Sequence, residues 1–154
     1  MQKTYDRSAT AHLAEHIYKN AKMGADSIND TLKAIKDPEE KERIKSELTR
    51  EYNEYDRIAT RAEQILTEMN VRPKEEGTIL KMTAKAGVAM NMMKDSTSSH
   101  VAEMMIEGLT MGITDTTRRS RKAAENGCVP EALKLADEFI SFQENSVDLM
   151  KKYL

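Results

Sequence analysis

Apolar residues recur along this chain at alternating steps of three and four, the period of a helix packed in a bundle. The cleanest run is Ile44, Leu48, Glu51, Tyr55, Ile58, Ala62, Ile65 and Met69. Glu51 is its exception, a carboxylate where the pattern wants an apolar side chain. Further runs are Ala14, Ile17, Ala21, Gly24, Ile28, Leu32, Ile35; then Ala102, Met105, Leu109, Gly112, Thr116; and finally Leu135, Phe139, Phe142, Ser146, Leu149, Tyr153.

Punctuation sets the ends of these runs. Asp37-Pro38 starts a helix, with Asp37 as cap, Pro38 at the first helical position and Glu40 placed to close a capping box. Asn70, followed by Pro73, reads as a stop. Asn126-Gly127 is a second stop, because glycine takes the left-handed cap conformation without strain. Pro130-Glu131 restarts a helix. The expected elements are helix A over about 7–36, B over about 38–70, C over about 98–126 and D over about 130–153, with Ser98 or Ser99 capping C. Between B and C lies a connection, 71–97, whose stretch from Thr78 to Lys94 is itself expected to be helical. The fold class predicted is all-α: one four-helix-bundle domain over 1–154.

The two halves share letters. His12, Ala14, Glu15, Met23 and Gly24 recur as His100, Ala102, Glu103, Met111 and Gly112, each 88 residues on. Leu48, Glu51, Tyr52 and Tyr55 are echoed by Leu135, Glu138, Phe139 and Phe142, 87 residues on. A hairpin repeat over 7–70 and another over 98–154, joined by a helical crossover, is the expected organisation. Small residues along A and C would face rings on B and D.

Composition narrows the function classes. The net charge of −2 gives no general pull toward nucleic acid or anionic lipid. With 32% charged residues and no 18-residue apolar run, a membrane span is not expected. The opening MQKTYDRSATAH does not read as a signal peptide. Cys128 is the single cysteine, so no disulfide can close within one chain and a reducing cytoplasm is the expected location. Eleven methionines are an excess, clustered at Met82, Met90, Met92, Met93, Met104, Met105 and Met111. Their default role is to fill an irregular core, and the alternatives are a groove for a partner helix or an apolar ligand, or binding of a soft metal such as Cu(I). The basic run Arg118, Arg119, Arg121, Lys122 closes helix C, where cations offset the helix dipole.

Two helical hairpins joined by a long crossover resemble the ferritin-like superfamily of four-helix bundles. In that family each hairpin supplies a Glu from its first helix and Glu-x-x-His from its second, and the six ligands hold two metal ions. The resemblance implies Glu15 and Glu103 on the first helices, and Glu51 and Glu138 on the second. The expected histidines are absent, replaced by Glu54 and Ser141. His12 and His100, three residues before a Glu on A and C, would be the substitutes. Glu51, Glu138, His100 and Glu103 are therefore the candidate ligands, with His12 and Glu15 as weaker mates and iron or manganese as the metal.

Helical phase turns His12 and Glu15 toward Lys19, Lys22 and Asp26, on the solvent side. His100 and Glu103 leave the C seam and join Glu107. His12 and His16 are read as surface residues. Glu51 stays in its seam, where a carboxylate needs a metal, a cation, hydrogen-bond donors or a proton; pairing with a Lys, an Arg or a tyrosine hydroxyl is the leading expectation. The function expected is that of a non-catalytic ferritin-like bundle acting by self-association, as a dimer through helix C or the connector, or by docking a protein partner. The alternative is a di-metal carboxylate protein doing oxidase or storage chemistry.

Overall fold

A computed structural model describes residues 4–73 and 95–154. Four long helices make up nearly all of it: α1, Arg7–Ala34; α2, Pro38–Glu68; α3, Ser98–Glu125; and α4, Pro130–Met150, which ends in a 3-10 turn, Lys151–Tyr153. The expected helical stretch 78–94 lies outside the described residues, as do Met82, Met90, Met92 and Met93.

The starts of α1, α2 and α3 are each fixed by a side chain that takes up orphan backbone N–H groups, whereas α4 opens on Val129-Pro130 without a side-chain cap. Asp6 accepts from Ala9 N at 2.6 Å. Asp37 accepts from Glu39 N at 2.9 Å and Glu40 N at 3.4 Å. Helix α3 is capped by Thr97, whose hydroxyl accepts from His100 N at 3.2 Å, so the cap lies one residue before the expected serines. Glu40 does not fold back on its own helix. Its carboxylate accepts from Ser98 N at 2.7 Å and so joins the start of α2 to the start of α3. That bond holds the Glu40 carboxyl below its ordinary range.

Both predicted stops are Schellman turns. Asn70 has φ 58° and Gly127 φ 82°. Val71 N donates to Leu66 O at 2.9 Å, and Cys128 N donates to Ala123 O at 3.0 Å.

These end contacts fix the chain path. Arg7, at the start of α1, donates to Met69 O at the end of α2. Asp6 N donates to Gly127 O, just past the end of α3. The end of α2 and the start of α3 therefore lie at opposite ends of the bundle. With α2 of 31 residues, the span between them is about 45 Å at ~1.5 Å per residue. Helix α1 packs most closely on α2, and α3 on α4. The α1–α3 and α2–α4 neighbours complete the square.

All eight members of the α2 stripe except Met69 are buried, Glu51 included. The rings fill the centre: Tyr55 meets Phe139 edge-on at 6.0 Å and Phe142 at 5.0 Å. Small residues make room for them. A Cβ on Gly24 would stand 2.5 Å from Tyr55 Cε1, whereas a Cβ on Gly108 would meet nothing within 4 Å. Gly24→Ala is therefore expected to cost about 1–3 kcal/mol through overpacking of a wedged ring. Gly108→Ala should stabilise by about 0.5–1 kcal/mol through the helix entropy term alone. Urea unfolding of the two variants side by side checks both signs. Among the described residues, no helix is long and apolar enough to cross a membrane.

Candidate functional site

Two features stand out from the packed core, a cleft between α1 and α3 and a buried carboxyl behind it. The cleft follows from residue size. Along this seam α1 offers Gly24 and Ser27, and α3 offers Gly108 and Gly112, so neither helix fills the space between them. The opening measures about 1000 Å³. Met23, Met104, Met105 and Met111 wall it, and Tyr55 of α2 and Gln143 of α4 form its floor.

Gln143 was not singled out by the sequence pattern, yet it is fully buried. Its amide nitrogen lies directly against Gly112, where a Cβ would collide with it. Its Oε1 is buried without a hydrogen-bond partner. The Tyr55 hydroxyl is kept protonated: burial pushes its pKa up first, the nearby Glu51 adds to that, and Gln143 offsets part of it. The two glycine contacts also set the correspondence between hairpins. Gly24 receives Tyr55 and Gly112 receives Gln143, each 88 residues on. On that register Glu51 corresponds to Phe139, and the 87-residue match to Glu138 is displaced by one position.

Glu51 lies one turn before Tyr55 at 0% exposure. Neither carboxyl oxygen has a protein hydrogen-bond partner. The expected pairing with Lys, Arg or tyrosine hydroxyl is not formed. Ser146 of α4 is the strongest favourable influence on the carboxyl, but its hydroxyl makes no hydrogen bond to it. Burial dominates and raises the Glu51 pKa to about 7, against smaller lowering effects of Ser146 and Arg50. A proton is thus the group that satisfies this carboxyl up to neutral pH.

The other candidate ligands lie elsewhere. Glu138 is at the surface, 3.7 Å from Arg57. His100 is 3.9 Å from Glu103, whose side chain is 66% exposed. His12 is exposed and Glu15 half-buried, on the flank of α1. Among the described residues, no group of three or more His, Cys, Asp or Glu side chains is placed to hold a metal ion. As placed, the six residues do not fit a di-metal centre.

His16 departs from the surface role expected of it. It is 7% exposed, in the α1–α3 seam beside the cleft. Its Nδ1 faces Asn20 Nδ2 at 3.1 Å, and its Nε2 faces Thr116 Oγ1 at 3.2 Å. An amide nitrogen can only donate, so Nδ1 accepts and Nε2 carries the proton. Burial first, then Arg119, lower its pKa to about 4, although Asp115 at 3.7 Å acts in the opposite direction. The missed signal was the apolar flank formed by Ala9 and Leu13, which continues the α1 stripe sideways into His16.

Cys128 is buried, and burial raises its thiol pKa, which suits a packing role. Searches against protein-family models, curated proteins and solved structures find no match to this chain.

Proposed function

We propose that this chain is a non-catalytic helical bundle that acts by pairing with a second copy of itself through the outer face of α3. The observation that carries this reading is the order of charge along that face. Glu103 and Glu107 occupy its N-terminal half, Arg118 and Arg121 its C-terminal half, with Thr114 and the 73% exposed Met111 between them. Helix dipole compensation favours such a gradient on any face of a helix. Here the charges share one stripe with the most exposed methionine of the described residues.

An antiparallel two-fold pairing with its axis beside Gly112 opposes Glu103 of one copy to Arg121 of the other. It also brings Glu107 within reach of Arg118. The apolar and hydroxyl centre then meets its own copy. The scaffold supports a ferritin-like reading, since α2 and α3 run parallel, with the end of α2 and the start of α3 at opposite ends of the bundle.

Sedimentation equilibrium tests the pairing. The wild-type protein is expected to dimerise at micromolar concentration and to dissociate as salt is added. Glu103→Arg/Glu107→Arg and Arg118→Glu/Arg121→Glu should each be monomeric, and an equimolar mixture of the two should recover a heterodimer. A wild-type chain that stays monomeric at about 100 µM, a concentration that bounds Kd in the same range, rules the pairing out.

A further inference from the structure

The cleft between α1 and α3 shares Glu107, Met111, Thr114 and Arg118 with the stripe proposed for pairing, so a ligand seated in the cleft and a second copy on that stripe compete. The walls of the cleft are methionine, which adapts to the shape of what it touches. Its volume of about 1000 Å³ is at the upper end for a small-molecule site. Its floor is polar but uncharged, formed by a tyrosine hydroxyl and a carboxamide. Gln143 is fully buried, and its oxygen has no hydrogen-bond partner in the protein. A buried acceptor left unpaired is unfavourable, and a half-turn of the carboxamide, whose nitrogen now faces Gly112, would present the oxygen to a donor in the cleft and relieve it.

We propose that the α1–α3 cleft is a binding site for a neutral, largely apolar small molecule that carries one hydrogen-bond donor, the apolar body lying among Met23, Met104, Met105 and Met111 and the donor reaching Gln143 at the floor. A charged ligand is disfavoured by the floor. It offers no opposite charge, and a buried ion without a partner is costly. Glu107, Asp115 and Arg118 are the charged residues of the lining, two acids and one base, so the rim does not favour an anion.

Gly108 gives the means to close the site without disturbing the fold. It lines the cleft, and a Cβ added there meets no atom within 4 Å. The probe is N-phenyl-1-naphthylamine, neutral and apolar, with a single N–H and a fluorescence that rises in apolar surroundings. The full chain is expected to bind it saturably at one site. Gly108→Leu should keep or raise the unfolding midpoint while weakening the probe at least ~tenfold. The unbranched Gln143→Met should remove the preference for the probe over 1-benzylnaphthalene, a hydrocarbon of similar size that has no donor and is read by competition. Equal binding of the hydrocarbon by the wild-type chain would overturn the role of Gln143 and needs no variant to fold.

Absence of saturable binding, or binding unchanged in Gly108→Leu, would overturn the site itself. The same titration on Glu103→Arg, which lies on the pairing stripe but outside the cleft lining, separates the cleft from self-association. Unchanged or tighter binding is expected, since the site is complete within one chain and pairing competes for it, and loss of binding would assign the probe to a surface between copies.

Discussion

Replacing Glu51 with glutamine is expected to stabilise the protein progressively as pH rises, by about 3 kcal/mol more at pH 8 than at pH 4. The sign follows from where the proton sits. The folded chain holds the Glu51 carboxyl at a pKa of about 7, against an ordinary value of 4.5. Below 4.5 both states are protonated, and burial of the neutral acid carries no ionisation penalty. Between 4.5 and 7 the unfolded chain releases its proton while the folded chain keeps it, so stability falls as pH rises. Above 7 the loss is complete. At ~1.4 kcal/mol per pKa unit the interval amounts to about 3 kcal/mol.

Glutamine keeps the shape and cannot ionise, so its advantage over the wild type traces that same titration. Urea unfolding at half-unit intervals from pH 4 to pH 8.5 measures it. The experiment also discriminates between chemistries. If a cation held the carboxylate, Glu51→Gln would instead lose stability above neutrality, because the variant would forfeit a charged ligand. A uniform cost at every pH would mean that the carboxyl has found hydrogen-bond donors that glutamine cannot match.

The helices were legible because periodicity, caps and stops agreed. Asp37-Pro38, Asn70, Asn126-Gly127 and Pro130 each mark a backbone requirement that few residues meet, and the boundaries fell within a few residues of them. The anomaly at Glu51 was equally visible, since one carboxylate in a stripe of apolar residues conflicts with its surroundings on any packing. What a stripe cannot give is the width of the buried face. His16, Thr10 and Thr31 lie beside the α1 seam and are buried because other helices cover that flank, a fact of tertiary arrangement.

Register was lost for a related reason. One residue of offset turns a side chain by ~100°, so the 87-residue match pairing Glu51 with Glu138 looked as good in letters as the 88-residue register that the Gly24 and Gly112 contacts define. Glu40 shows the same limit in a cap. Its sequence position suits a box with Asp37, but the start of α3 lies closer to its carboxylate, and nothing local to α2 announces that.

His16 supplies the opposite slope to Glu51, and its replacement should expose what the wild type conceals. Its folded pKa is about 4, against an ordinary 6.5. The stability it contributes is fully present above 6.5 and is lost as pH falls from 6.5 through 4, by about 3 kcal/mol, since the folded chain refuses a proton that the unfolded chain takes up. Over pH 4.5–6.5 the unfolded chain has gained a proton on His16 and released one from Glu51, so the two linkages cancel and these groups leave the wild type nearly flat. His16→Gln retains an amide donor for Thr116, removes the imidazole titration and is expected to cost about 1 kcal/mol at pH 7. Its stability should then rise toward acid pH with the Glu51 slope of ~1.4 kcal/mol per unit. Glu51→Gln should fall toward acid pH with a slope of the same size. The double variant should be flat again, because neither titrating group remains. Parallel slopes in the two single variants would mean that one of the two groups does not occupy the protonation state its burial dictates. The sign of the surviving slope would identify which.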